Sequence, residues 1–179
     1  MNDDLMINVD IPEGVKVAVH DGSVGITGPL GSNSRRINDK FLTVKVGDKG
    51  IAIESIKRNN KLAKRAVNTE RAFATELQND INGVRKYYEI NMKIVFAHFP
   101  ISMEIKNGEV RINNMIGERA PRISKIIGTT KVEVKGQDMR LYGTSRDDVN
   151  QTAANLRKTV KIRDKDGRTF QDGVYYALE

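Results

Sequence analysis

Apolar and polar positions alternate with a period of two through Val15, Val17 and Val19, stop at Asp21-Gly22, and resume at Val24 and Ile26. A two-residue type I′ turn needs positive φ at both central positions, which Asp-Gly supplies, so the stretch predicts a β-hairpin. That turn sets Val19 opposite Val24 and Val17 opposite Ile26, leaving Lys16, Ala18, His20 and Thr27 on the other face. Val44 and Val46 then run into "GDKG" and return as Ile51 and Ile53, a second hairpin centred on 48 and 49.

The same pattern recurs. Met103 and Ile105 lead through Asn107-Gly108 to Val110 and Ile112, and Val132 and Val134 lead through "KGQD" to Met139 and Leu141. The first hairpins align at an offset of 86 and the second at 88, and Ile11-Pro12 aligns with Phe99-Pro100 at 88. Each copy closes on a helical pattern. In the first, Leu62, Ala66, Thr69, Phe73, Leu77 and Ile81 recur at spacings of three and four, with Lys61, Lys64, Arg65 and Arg71 on the opposite face. In the second, Asp147 is the expected cap of a shorter helix with the stripe Val149, Ala153, Leu156 and Val160. The pattern therefore predicts an α+β chain: two tandem copies of a small antiparallel sheet packed against one helix. Gly83 is the natural break, giving domains at 1–83 and 84–179, each with a small core.

Composition adds a partner to this picture. The chain has 179 residues, 30% of them charged, with a net charge of +7 and a pI near 9.6, which favours a polyanionic partner. The first 83 residues hold 12 Lys and Arg against 11 Asp and Glu, and the rest hold 18 against 12, so the excess base belongs to the second copy. No apolar run approaches the ~20 residues of a bilayer span, and Met1-Asn2-Asp3-Asp4 is acidic where a secretory signal is basic. Zero cysteines exclude disulfides, thiolate zinc sites and a cysteine nucleophile, and fit a cytoplasmic location.

Catalytic parts are missing from the pattern. Of two histidines, His20 falls on the polar face of a hairpin, and His98, in "FAHFP", has no second ligand at metal-binding spacing. "GSVGITGPLG", 22–31, lacks the Lys-Ser/Thr of a P-loop and the strand-to-helix setting of a dinucleotide fingerprint, so its glycines read as turn formers. No enzyme, cofactor or metal site is expected.

Three basic clusters remain. Arg35 and Arg36 lie between the hairpins of the first copy, and "GERAPRISK", with Arg119, Arg122 and Lys125, occupies the corresponding segment of the second. "LRKTVKIRDKDGR", 156–168, holds Arg157, Lys158, Lys161, Arg163, Lys165 and Arg168 against two aspartates. Guanidinium forks bind phosphate oxygens bidentately, and Pro121 stiffens its loop. With aromatics at 6% and no tryptophan, contacts to phosphates, 2′-hydroxyls and RNA shape fit better than serial base stacking. Two other classes remain compatible: a protein-interaction module using exposed sheet edges, with no specific RNA target, and a phosphate-handling enzyme using the glycines at 22–31.

"VFAHFPI" (95–101), "NNMIGERAPRISKI" (113–126), "DVNQTAANL" (148–156) and "FQDGVY" (170–175), in this order, resemble the L6 family of large-subunit ribosomal proteins in its archaeal and eukaryotic form. "INVDIPEGVKV" and "TGPLG" extend the resemblance to nearly the whole chain. The lysine- and glycine-rich tail of the bacterial branch has no counterpart here. The resemblance implies a duplicated α+β fold and a structural, rRNA-binding constituent of the cytoplasmic ribosome. It further implies a place near the stalk base and sarcin-ricin loop, where translation factors dock beside neighbouring ribosomal proteins, with the second domain making most RNA contacts. By position it makes Arg119, Arg122 and Lys125 RNA-facing.

Overall fold

A computed structural model describes residues 7–38, 40–47, 50–56, 60–163 and 165–177, without the side chains of 60–64. The turn expected at 48 and 49, the side chains of Lys61, Leu62 and Lys64, and Asp164 lie outside the described residues.

The chain forms two compact units, the first ending at Tyr87 and the second starting at Tyr88. In the first, β2 (Lys16–His20), β3 (Ser23–Gly28) and β4 (Gly31–Arg36) form one antiparallel sheet in sequential order. A second sheet places β6 (Gly50–Ser55) between β1 (Ile7–Asp10) and β5 (Leu42–Val46), and α1 (Asn60–Gly83) completes the unit. The second unit repeats the plan. There β9 (Glu109–Asn113) lies between β8 (Ser102–Lys106) and β10 (Arg122–Lys125). The other sheet runs β11 (Lys131–Lys135), β12 (Asp138–Gly143), β7 (Tyr88–Val95), β13 (Gly173–Tyr176), with α2 (Arg146–Val160) as its helix. The α+β duplication is thus present, with the strands of each copy shared between two small sheets.

The registers follow from the alternation. Val17 stands opposite Ile26, Val44 opposite Ile53, Met103 opposite Ile112 and Val132 opposite Leu141. Asp21 and Gly22 have φ of 45° and 69°, and Asn107 and Gly108 have 53° and 74°, the left-handed pair that a type I′ turn demands. The first core collects Val24, Ile26, Ile51, Ile53, Leu77 and Ile81, and the second Ile112, Met115, Leu141, Val149, Leu156 and Val174.

Val84 belongs to the first core, and its carbonyl accepts from Leu30 N at 3.0 Å. Its side chain fills the space over Gly28, where an added Cβ would come within 2.7 Å. That glycine therefore serves close packing, and the 22–31 segment is β3, β4 and their connections.

Two helix details differ from the pattern. On α1 Ala66, Phe73, Leu77 and Ile81 are buried as expected, but Thr69 is half-exposed, its hydroxyl bonded to the Arg65 carbonyl at 2.8 Å. Glu70 and Ala74 take up the buried face instead. On α2 the N-cap is Ser145, whose hydroxyl accepts from Asp148 N at 3.3 Å, while Asp147 lies inside the first turn. An Ncap oxygen reaches the amide three residues on, and Ser145 has the extended backbone that geometry needs.

Candidate nucleic-acid interface

β10 is where the basic loop meets the helix. Arg122 stands opposite the buried Ile112 and Ser124 opposite the buried Val110, so both face inward, and alternation turns Ile123 and Lys125 to the outer face. The Arg122 guanidinium grips the Glu118 carboxylate through Nε at 2.8 Å and Nη2 at 2.5 Å. Its Nη1 donates to the carbonyls of Thr159 at 2.9 Å and Lys161 at 3.2 Å. Those carbonyls close α2, and helix ends leave such acceptors without intrahelical partners. The hydrogen bonds from Arg122 outweigh partial burial and hold the Glu118 carboxyl below its usual value, while the Arg122 pKa is raised by the same pairing. Arg122 is a bolt between the loop, β10 and the end of α2.

The segment ahead of β10 is conformationally demanding. Asn114, Ile116 and Gly117 have φ of 58°, 52° and 77°, and Ile116 is β-branched, a residue that pays a steric penalty in the left-handed region. The buried Met115 anchors the segment, Asn114 Nδ2 donates to the Pro100 carbonyl at 3.1 Å, and Phe99 lies over Gly117, 3.4 Å from where a Cβ would stand. The loop that follows, carrying exposed Arg119, is held at both ends.

The last turn of α2 and its continuation present Arg157, Lys158, Lys161 and Arg163, all exposed and none in an ion pair among the described residues. Cations there also complement the negative end of the helix dipole. Arg157 lies 5.7 Å from the Tyr176 ring centroid and Lys165 Nζ 4.7 Å from that of Phe170. The C-terminal segment is pinned by Asp172, which is buried and accepts from Ala97 N at 2.7 Å, His98 N at 3.3 Å and the His98 ring at 3.0 Å. His98 in turn stacks on Phe170 at 4.8 Å. This is the structural setting of His98, and its partner lies 74 residues away in sequence.

In the first unit Arg35 and Arg36 point to opposite faces. Arg35, opposite the buried Val24, bonds Asp80 at 2.6 Å and Glu76 at 2.9 Å on α1. Asn33, opposite Ile26, also reaches Asp80 at 3.4 Å. By register Asn33 is the counterpart of Arg122, so in both copies the inner face of the third strand is tied to the end of the helix. Arg36 is exposed.

The sequence was compared with known proteins. The family model described as "Ribosomal protein L6" matches residues 99–173. Proteins named "Large ribosomal subunit protein uL6" match along nearly the whole length. The one from Ignicoccus hospitalis is 41% identical, over 96% of this chain and 93% of its own. Those from Methanobrevibacter smithii and Archaeoglobus fulgidus are 37% and 39% identical, each over 93% of this chain, and over 92% and 86% of their own. The chain belongs to the ribosomal protein L6 family.

The matched L6 segment contains the left-handed run before β10, the Arg122 bolt, α2 and the Asp172 pin. It is the part of the chain in which most of the basic residues singled out from sequence converge. Arg157, Lys158, Lys161 and Arg163 lie on the last turn of α2 and its continuation, and Arg122 ties Glu118, the neighbour of exposed Arg119, to that end. Lys125 is on the outer face of β10, and Arg35 and Arg36 are in the other unit. Sequence reasoning missed the aromatic contacts of the C-terminal segment, Tyr176 beside Arg157 and Phe170 beside Lys165 and His98, with Tyr175 exposed on the other face of β13. Their signal was three aromatics in seven residues, beside a basic run.

Proposed function

We propose that this L6 chain is a non-catalytic structural constituent of the large ribosomal subunit, located in the cytoplasmic ribosome, with rRNA and neighbouring ribosomal proteins as its partners. The second unit holds the RNA. Arg119, Arg157, Lys158, Lys161 and Arg163 contact phosphates, with Lys125 and Arg36 as outlying contacts. Arg122 and Arg35 act chiefly by fixing strands to helices. The observation that carries this reading is the Arg122 bolt: it draws a stiffened basic loop and the cationic end of α2 into one rigid surface, and preorganised cations lose little freedom on docking.

The site on the ribosome is the base of the stalk near the sarcin-ricin loop, where the protein supports the docking region of translation factors. Family membership and the four ordered motifs support this placement. Chemical footprinting of large-subunit rRNA with and without the protein tests it, and protections confined to other regions would refute it. Co-sedimentation with large subunits through a high-salt wash tests the assignment to the subunit. Replacing Arg119, Arg157 and Lys158 by alanine together should flatten the salt dependence of RNA binding by about 2 to 3 log units per log unit of salt. An unchanged slope would remove these residues from the phosphate contacts.

A further inference from the structure

The internal repeat acts as a control on what the fold itself needs. Val110 and Ile112 of β9 are buried, so alternation turns the residues between and beside them to the outer face of β8, β9 and β10. The middle row of that face is Glu104, Arg111 and Ile123, one from each strand. In the first copy the same row is Ala18, Gly25 and Ser34. Gly25 is not imposed by crowding, because an added Cβ would meet only the Ala18 carbonyl, at 3.7 Å. The shared backbone therefore forms with small side chains here, and the large ones of the second copy serve something other than the fold.

Two of them are left without a counterpart. Ile123 is 49% exposed, the most of any large hydrophobic residue described. Arg111 is half-buried, its Nε is out of water without a hydrogen-bond partner, and it forms no ion pair among the described residues. Glu104 lies directly opposite it and Glu109 two residues before it on the same face, yet neither holds the guanidinium. A donor removed from water without an acceptor costs stability that an acceptor from outside would restore.

The carboxylates decide what that partner is. A ribose-phosphate chain laid across this face would meet Glu104 and Glu109, whereas residues 157–163 at the end of α2 carry four cations and no acid. An exposed apolar group beside an unpaired arginine, with mixed charge around them, is the make-up of a protein interface. We propose that the outer face of β8, β9 and β10 docks a neighbouring protein of the large subunit, which covers Ile123 with an apolar side chain and gives a carboxylate to Arg111. The inference rests on the large-subunit reading above. Lys125, one row away at the margin of the face, stays open to phosphate.

The test uses large subunits reconstituted without this chain, to which the full parent or variant chain is added. Arg111→Lys keeps the charge and supplies an amine that a carbodiimide joins to a carboxylate in contact. An amide between position 111 and an aspartate or glutamate of another subunit protein is expected. Ile123→Ser, which copies Ser34 of the first unit, and Arg111→Ala should each compete with the parent for the subunit about 5- to 30-fold less well, the loss of one interface anchor. On protein-free rRNA both should keep the parent's affinity and salt slope. A smaller slope for Arg111→Ala would put phosphate on this face instead. That result, parent-like competition by both variants, or the absence of an amide to another protein would each overturn the docking face while leaving the large-subunit reading intact. If the parent itself does not enter the subunit, that reading falls as well.

Discussion

At the scale of residues, the informative groups are those whose polar atoms are committed inside the protein. Arg122 satisfies a carboxylate and two helix-terminal carbonyls at once, so Arg122→Ala should lower stability by about 1–3 kcal/mol in urea unfolding. Arg122→Lys should recover little of it, because an ammonium lacks the planar fork. Asp172 carries a pH dependence. Burial works against its charged form, but the His98 ring and the Ala97 and His98 amides outweigh this and hold its carboxyl below the ordinary aspartate value. In the unfolded chain it titrates near ~3.9. Its contribution to stability is therefore present above that pH and is lost as pH falls through the lower folded value. Asp172→Asn should accordingly lose less stability than the parent when unfolding is followed below about pH 4. Glu70 is fully buried in α1, and among the described residues neither of its carboxylate oxygens has a hydrogen-bond partner. Glu70→Met keeps the volume and removes an uncompensated polar group, and should raise stability by about 1–3 kcal/mol at neutral pH.

At the scale of elements, legibility depended on how local the determining contacts are. The hairpins could be read because strand period and turn dipeptide act within a dozen residues, and Asp21-Gly22 and Asn107-Gly108 fix register through backbone angles that few other residues adopt. The α2 stripe was legible for the same reason. Its cap was not, since Ser145, Asp147 and Asp148 all have suitable side chains and only the backbone at 145 decides among them. Ser145→Ala should cost about 1 kcal/mol in thermal unfolding, and more than Asp147→Ala does. Thr69 was misplaced because a residue at the margin of a helical stripe can turn its hydroxyl to the preceding turn and yield the buried position to a neighbour.

At the scale of the whole molecule, duplication explains why two similar-looking basic segments do different work. In the first copy Arg35 meets Asp80 and Glu76, and in the second Arg122 meets Glu118 and the end of α2. Arg35→Ala should therefore lower stability while leaving the salt slope of RNA binding unchanged, whereas Lys158→Ala should reduce that slope by about 0.7–0.9 with little effect on stability. Measuring both quantities for both variants checks the division of labour.

The sequence by itself determined the repeat, the hairpin registers, the apolar stripes of both helices and the excess of base in the second copy. Each of these depends on residues close together along the chain or on a sum over it. Tertiary structure alone decided which cations face outward. Whether Arg35 or Arg122 is committed internally depends on Asp80, 45 residues away, and on the carbonyl of Thr159, 37 away. It likewise brought Tyr176 to α2 and Asp172 to His98, because strand pairing and packing, unlike period and propensity, join residues that the chain keeps far apart.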